Sequence, residues 1–228
     1  MTTDITAGYD EFYRARDPEY VYPVEFVVRA YLGSYPRLPR MAVEKGACIL
    51  DLGCGDGRNM PLLFNLGMAV YGVDIAADIC TRTVERMRRL GVKVETRVGR
   101  NCSIPFDDRF FDHVLACHSC YYVDQGTSFD QNVAEIARVM KPGGRFVFSA
   151  PISTSYILRG GIDRGDGHIE VTRDPYGVRN GYILRAFDDA QQIESAVGRW
   201  FGDCRIGSCR NDFWGIDEHV WTIACRRT

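Results

Sequence analysis

The sequence lacks any apolar run near the ~20 residues that a helix needs to cross a bilayer. Its opening stretch, MTTDITAGYDEFYRARDP, lacks the apolar centre of a secretory leader. It also lacks a surplus of charge. The 28 basic and 30 acidic residues give a net charge of −2, which speaks against a broad nucleic-acid surface. Lysine is scarce, since 25 of the 28 basic residues are arginine, a bias read as base composition rather than function. Paired CxxC spacings with histidines are missing too. Cys117 and Cys120 form one isolated CxxC, so no metal is expected. The nine cysteines are an odd number, and Cys48, Cys117 and Cys225 fall inside apolar strands. They read as reduced thiols, small buried hydrophobes of a cytoplasmic protein. What remains is a globular chain of 228 residues, 46% hydrophobic and 25% charged, of a size for one domain with a sizeable core.

The most informative stretch is GACILDLGCGDGRN, residues 46–59. An apolar strand runs through Ala47, Cys48, Ile49 and Leu50 into Asp51. A turn with Gly53, Cys54, Gly55, Asp56 and Gly57 follows. Glycines let a backbone turn sharply and lie close to a ligand. A strand, a glycine-rich turn and a helix in that order mark a doubly wound nucleotide-binding fold. Two features depart from the dinucleotide pattern. Arg58 stands where G-x-G-x-x-G has its third glycine, and Asp51 and Asp56 would crowd a pyrophosphate with negative charge. The same carboxylates suit a cofactor carrying an ammonium and a sulfonium. The expected cofactor is therefore S-adenosylmethionine, with S-adenosylhomocysteine as product, rather than NAD.

Four stretches in order carry a resemblance: ILDLGCGDG (49–57), YGVDIA (71–76), SIPFDDRFFDHVLACHS (103–119) and MKPGGRFVFS (140–149). Over residues 46–151 the chain resembles the class I S-adenosylmethionine-dependent methyltransferases, of the small-molecule, type 11/25-like group. The resemblance implies a Rossmann-like α/β sheet of seven strands, doubly wound, parallel except for a C-terminal antiparallel hairpin strand, with helices on both faces. It implies one methyltransferase domain with three parts: an N-terminal helical lid (1–45), a cofactor-binding core (46–151) and an acceptor-shaping segment with a closing hairpin (152–228). It also implies that Tyr9, in a Tyr-Asp pair near the start, or Tyr13 contacts the methionine part of the cofactor. The plainer reading is that these rings pack the first helix onto the core.

Along the chain, PVEFVVRAYLG (23–33) reads as a helix, with Pro23 in its first turn and Gly33 at its stop. Residues 59–67 read as the first crossover helix and 69–75 as a buried strand ending at Asp74. A carboxylate there accepts from both ribose hydroxyls, or else caps the next helix. Ile75 would lie on adenine. Residues 76–91 form an amphipathic helix with Arg82, Glu85, Arg86 and Arg88 outward. After a third strand (92–99), the resemblance implies an acid where this chain has Arg100. Asn101 and Cys102 remain candidates for the adenine edge, and Arg100 is read as outward-facing. The fourth strand, 111–117, should bring Cys117 and His118 beneath the reactive methyl. His118 is the candidate general base, since an imidazole near pKa 6.5 works at neutrality. Alternatively it only hydrogen-bonds. Residues 127–144 read as a helix and 145–151 as the fifth strand.

Residues 152–187 are too long for a simple connection. A long loop at this edge shapes a pocket. Tyr22, Tyr121, His168, Tyr176, Arg179 and Trp214 are candidate acceptor contacts, Arg179 because guanidinium suits carboxylate or phosphate. Taken singly, each is equally a surface residue. Residues 188–201 read as a helix, and 203–216 with 218–227 as a closing hairpin. The expected activity is methyl transfer to an oxygen or nitrogen of a small polar metabolite. The expected partners are that small molecule, with no nucleic acid and no membrane, in a monomer or homodimer. Methylation of protein or RNA is a second reading, and a non-catalytic cofactor-binding protein a third.

Overall fold

The structure, a computed structural model, describes residues 5–15 and 19–228. Residues 1–4 and 16–18, part of the expected lid, lie outside the described residues. The elements follow in chain order: α1 (Ile5–Arg14), α2 (Glu25–Leu32), β1 (Cys48–Leu52), α3 (Met60–Asn65), β2 (Ala69–Asp74), α4 (Ala77–Arg89), β3 (Val94–Val98), β4 (Phe111–Ala116), β5 (Tyr122–Val123), α5 (Phe129–Val139), β6 (Met140–Pro151), β7 (Ile162–Asp163), β8 (His168–Glu170), β9 (Ile183–Arg185), α6 (Ala190–Val197), β10 (Phe201–Phe213) and β11 (Ile216–Arg227). No helix among the described residues is long and apolar enough to cross a membrane.

A seven-stranded sheet runs in the order β10-β11-β6-β4-β1-β2-β3. The pairs within β6-β4-β1-β2-β3 are parallel, while β11 runs antiparallel to both β6 and β10. This is the expected sheet with its one reversed strand. Apolar runs in the central strands serve both faces, because successive side chains alternate. Leu50, Val114, Phe146 and Phe148 join the core on one side. Ile49, Leu115 and Val147 join the core on the other, with Val27 and Tyr31 of α2. Burial of each such side chain contributes about 1.5–3 kcal/mol.

Local signals set the helix ends. At α5, Ser128 Oγ accepts from the Gln131 N–H and the Gln131 side chain accepts from the Ser128 N–H, a reciprocal cap written as S-x-x-Q. At α6, the Asp189 carboxylate accepts from the Gln192 N–H at 2.8 Å. The helix expected over 127–144 stops at Val139, because Met140 already pairs with Phe111 of β4.

The chain winds from β1 outward to β3, then returns to place β4 on the other side of β1. The strand order reverses between β1 and β4, where open α/β sheets bind ligands. The long segment after β6 supplies β7, β8 and β9, which join β5 in a small second sheet, β5-β9-β8-β7, all antiparallel. Its strands have two or three residues each. That shortness is why no periodicity announced them.

Candidate active site

The turn after β1 takes a path few side chains tolerate. Gly53 and Gly55 have φ of +72° and +51°. A Cβ on Gly53 would sit 2.5 Å from the Ser119 Cβ, and one on Gly55 would meet the Tyr13 ring. The N–H groups of Gly53 and Cys54 both donate to the Val73 carbonyl at the end of β2 (2.8 and 3.0 Å). From α4, Thr83 donates to the Gly55 carbonyl and Arg86 to that of Asp56 (2.8 Å). Arg86 is 2% exposed, so the expectation that it faces outward is overturned. Its guanidinium finds a carbonyl under the turn, which makes burial tolerable.

The carboxylates around the turn have different fates. Asp56 is held by Arg58 through two side-chain hydrogen bonds of 2.9 and 2.6 Å, so its charge is matched. Asp51 is 1% exposed, and its Oδ2 has no partner among the described residues. Burial, with Asp56 and Asp74 nearby, pushes its pKa up to about 7. It backs the turn and does not line the cavity. Asp74 does line it. Its Oδ2 accepts from Gly55 N–H and its Oδ1 from Ile75 N–H, each at 2.8 Å. Burial raises its pKa, and those two N–H groups oppose the rise. The capping alternative is excluded, because the residue at the start of α4 is Ala76.

A cavity of about 330 Å³ opens at the switch point. Tyr9, Tyr13, Gly53, Cys54, Asp74, Ile75, Asn101, Cys117, His118, Tyr121 and Arg179, all singled out from the sequence, line it. Gly55 supports it from behind, under Tyr13. Asn101 lines the cavity with its N–H groups committed: its Nδ2 donates to the carbonyls of Ser119 (2.9 Å) and Tyr122 (3.1 Å), so for an adenine edge its side chain can offer its Oδ1 acceptor but no N–H donor. Cys102 lies outside the cavity lining and turns toward Asp124 (3.8 Å). Arg100, expected outward, lines the cavity and pairs with Asp124 at 2.8 Å.

The helix α1 covers the opening. Tyr9 hydroxyl meets Tyr122 hydroxyl at 2.8 Å, and its ring packs edge-on against Tyr122 and Tyr182. Arg82 of α4 holds Asp10 of α1 at 2.5 Å, so Arg82 docks the helix instead of facing solvent.

His118 follows β4 with φ +55°, a conformation that costs a non-glycine residue about 1–3 kcal/mol. Its N–H donates to Ser149 Oγ at 2.9 Å. Its Nδ1 lies 3.9 Å from Glu218 Oε1. Burial holds its pKa below the usual value, Glu218 opposes that, and Arg179 and Arg58 reinforce it. The imidazole is therefore neutral and able to accept a proton at neutrality.

Four expected acceptor contacts lie elsewhere. Tyr22 is 78% exposed in the segment before α2. Trp214 is 98% exposed, at the Trp214–Gly215 turn between β10 and β11, where both φ are positive. Hairpin geometry carries its ring past the sheet. His168, on β8, lines a separate hollow with Asp130, Asp166 and Arg185. Tyr176 is half exposed and lies edge-on to Phe12, outside the cavity lining. Sequence reading missed Tyr156, Tyr182 and Glu218, which do line it. Glu218 carried a usable signal. Val220 pairs with Pro151, so the start of antiparallel β11 lies at the C-terminal edge of β6, on the ligand side.

The residues fit S-adenosylmethionine: a turn that a Cβ would obstruct, an orphaned buried carboxylate oxygen, and a strand-end acid on the cavity wall. No group of metal-ligating side chains occurs among the described residues. Residues 50–148 match the methyltransferase domain family. A sterol 4-C-methyltransferase of Caenorhabditis elegans is 30% identical over 118 residues, 51% of this chain and 34% of the relative. A demethylmenaquinone methyltransferase of Tropheryma whipplei is 32% identical over 114 residues, 49% of this chain and 46% of the relative. The matches span about a third to a half of the curated relatives' length. A crystal structure of a Pyrococcus horikoshii protein shares the fold with a TM-score of 0.66 at 19% identity, covering 96% of this chain and 99% of that one. A phosphoethanolamine N-methyltransferase of Haemonchus contortus, solved with S-adenosylmethionine, has a TM-score of 0.58 at 15% identity, covering 82% and 50%. By motif, sheet order and domain match together, residues 50–148 carry an S-adenosylmethionine-dependent methyltransferase domain.

Proposed function

We propose that this chain transfers a methyl group to an oxygen or nitrogen of a small polar acceptor. The observation that carries this is one cavity that joins the glycine turn and Asp74 to His118 under the partial cover of α1. A space of about 330 Å³ behind aromatic side chains suits a metabolite better than a protein or RNA surface.

In this reading Asp74 takes the ribose, Ile75 packs on adenine, and the turn with Gly53, Cys54 and Gly55 takes the amino-acid end. Asp51 supplies negative charge behind that turn, and Tyr9, Tyr13 and Cys117 complete the wall. When bound, the cofactor supplies a methyl group activated by its sulfonium. The protein's own contribution is placement, which is worth up to ~7–11 kcal/mol in ideal cases. His118 accepts the acceptor's proton, and Glu218 stabilises the imidazolium so formed. Tyr9 and Tyr122 exclude water. The segments 1–45, 46–151 and 152–228 act as lid, cofactor core and acceptor wall of one domain. The nine free thiols support a reducing compartment such as the cytoplasm.

The test is transfer of labelled methyl from S-adenosylmethionine to a panel of small hydroxyl, amine and carbonyl compounds, with products located by mass spectrometry. O- or N-methylated products are expected. Cofactor binding with transfer only to carbon, only to macromolecules or to nothing would overturn the reading.

A further inference from the structure

The acceptor side of the cavity is a cluster of hydrogen-bond donors with few acceptors. Arg179 lies at its centre, its side chain 19% exposed. Its Nη1 donates to Tyr156 Oη at 3.0 Å. Its Nε lies 3.5 Å from Asp174 Oδ2, too long for a strong charge-assisted hydrogen bond. That oxygen already accepts the N–H groups of Val178 and Arg179, both at 2.9 Å, and Oδ1 accepts that of Tyr176 at 3.3 Å. The side chain of Asp174 is fully buried. Its charge is spent on tying the 174–179 turn, and it only loosely matches the guanidinium.

The phenols continue the pattern. Tyr156 Oη accepts from Arg179, so its own proton is free to donate. Tyr9 and Tyr122 share one hydrogen bond, which leaves one of their two hydroxyl protons free. All three phenols are close enough to Arg179 to raise its pKa. Glu218 is the carboxylate nearest His118, at 3.9 Å, and no hydrogen bond joins it to Arg179 or Tyr156 among the described residues. The uncommitted groups are a guanidinium edge and two phenolic protons; the anions near them are Asp174, already bonded to the turn, and Glu218, which lies beside His118 and whose charge reaches Tyr156.

We propose that the methyl acceptor carries an anionic group, a carboxylate or a phosphate monoester, bound by Arg179 and Tyr156. This rests on the proposed function for the word acceptor, but the anion site stands on its own geometry. The anion answers the unmatched donors, and the acceptor atom then points toward His118. Arg179 is a binding residue that fixes specificity rather than a base.

The experiment is calorimetric titration of the protein, with and without S-adenosylhomocysteine, using benzoate and glycerol 2-phosphate against methyl benzoate and glycerol. At least one anion is expected to bind saturably while its neutral counterpart does not, and the two anion arms separate carboxylate from phosphate. Arg179→Met should weaken anion binding tenfold or more, while Arg179→Lys retains part of it. The affinity for S-adenosylhomocysteine should stay unchanged in both. Because Asp174 ties the turn through backbone N–H groups, both variants should keep the native unfolding temperature. Equal binding of anions and neutral counterparts would overturn the proposal. So would full anion affinity in Arg179→Met. Failure to bind S-adenosylhomocysteine with anion binding intact would remove the methyl-transfer reading and leave the anion site supported.

Discussion

Replacing Asp74 by alanine isolates the contact on which the proposed cofactor site turns. The carboxylate lies on the cavity wall, 8% exposed, and each oxygen accepts one backbone N–H at 2.8 Å. Each oxygen keeps lone-pair capacity for the cavity side. A ribose diol donating to both would form two hydrogen bonds to a charged acceptor, at about 1.5–3 kcal/mol each. Their loss costs about 3–6 kcal/mol of binding, a rise in Kd on the order of 10²–10⁴. The truncation also strands the N–H groups of Gly55 and Ile75. Water can reach them from the cavity, so the stability loss should lie near the lower end of about 1–3 kcal/mol per group. Calorimetric titration with S-adenosylhomocysteine, beside thermal unfolding, reads both quantities. A folded variant with lost affinity is expected. A folded variant with unchanged affinity would refute the assignment, and Asp74→Asn, which keeps one carbonyl acceptor, guards against a folding artefact.

The remaining predictions concern proton equilibria and exposed residues. His118→Ala should lower turnover by about 10²–10⁴ with cofactor affinity kept. Burial holds the His118 pKa below about 6.5, so native turnover should be level at neutrality and fall only on the acid side. The variant should lose that acid limb, and normal turnover would remove His118 from catalysis. Asp51 has a folded pKa of about 7, above the unfolded value of about 3.9. The folded state thus holds a proton that the unfolded chain has released, and this stabilisation is lost as pH rises from about 4 to about 7. Asp51→Asn should raise the unfolding temperature at pH 8, change it little at pH 4, and weaken cofactor binding. A lower unfolding temperature at pH 8 would contradict the buried, unmatched carboxylate. Trp214→Ala and His168→Ala should leave turnover unchanged and Trp214→Ala should shift stability by no more than about 0.5 kcal/mol, since that ring is in solvent. A loss of turnover in either would return those residues to the site.

The cofactor half of the fold was legible because its signals are local. Apolar strands, a glycine turn and an acid at a strand end each occupy a few consecutive residues. Arg82 and Arg86 show where such reading stops. Helical periodicity assigned both to the solvent side, yet one docks α1 through Asp10 and the other binds a carbonyl beneath the turn. Periodicity cannot register a partner far away in sequence. The acceptor wall was harder still. Tyr156, Arg179 and Glu218 come from a short 3₁₀ turn, a loop and the start of a reversed strand. Only the three-dimensional winding brings them together. Trp214 was misplaced for a related reason: an aromatic beside glycine fits a pocket rim or a hairpin tip equally well by sequence.

The most direct measurement is a calorimetric titration of the native protein with S-adenosylmethionine beside one with NAD. A turn shaped for a cationic sulfur cofactor predicts saturable, one-to-one binding of the first and none of the second. Binding of NAD, or of neither, would contradict it.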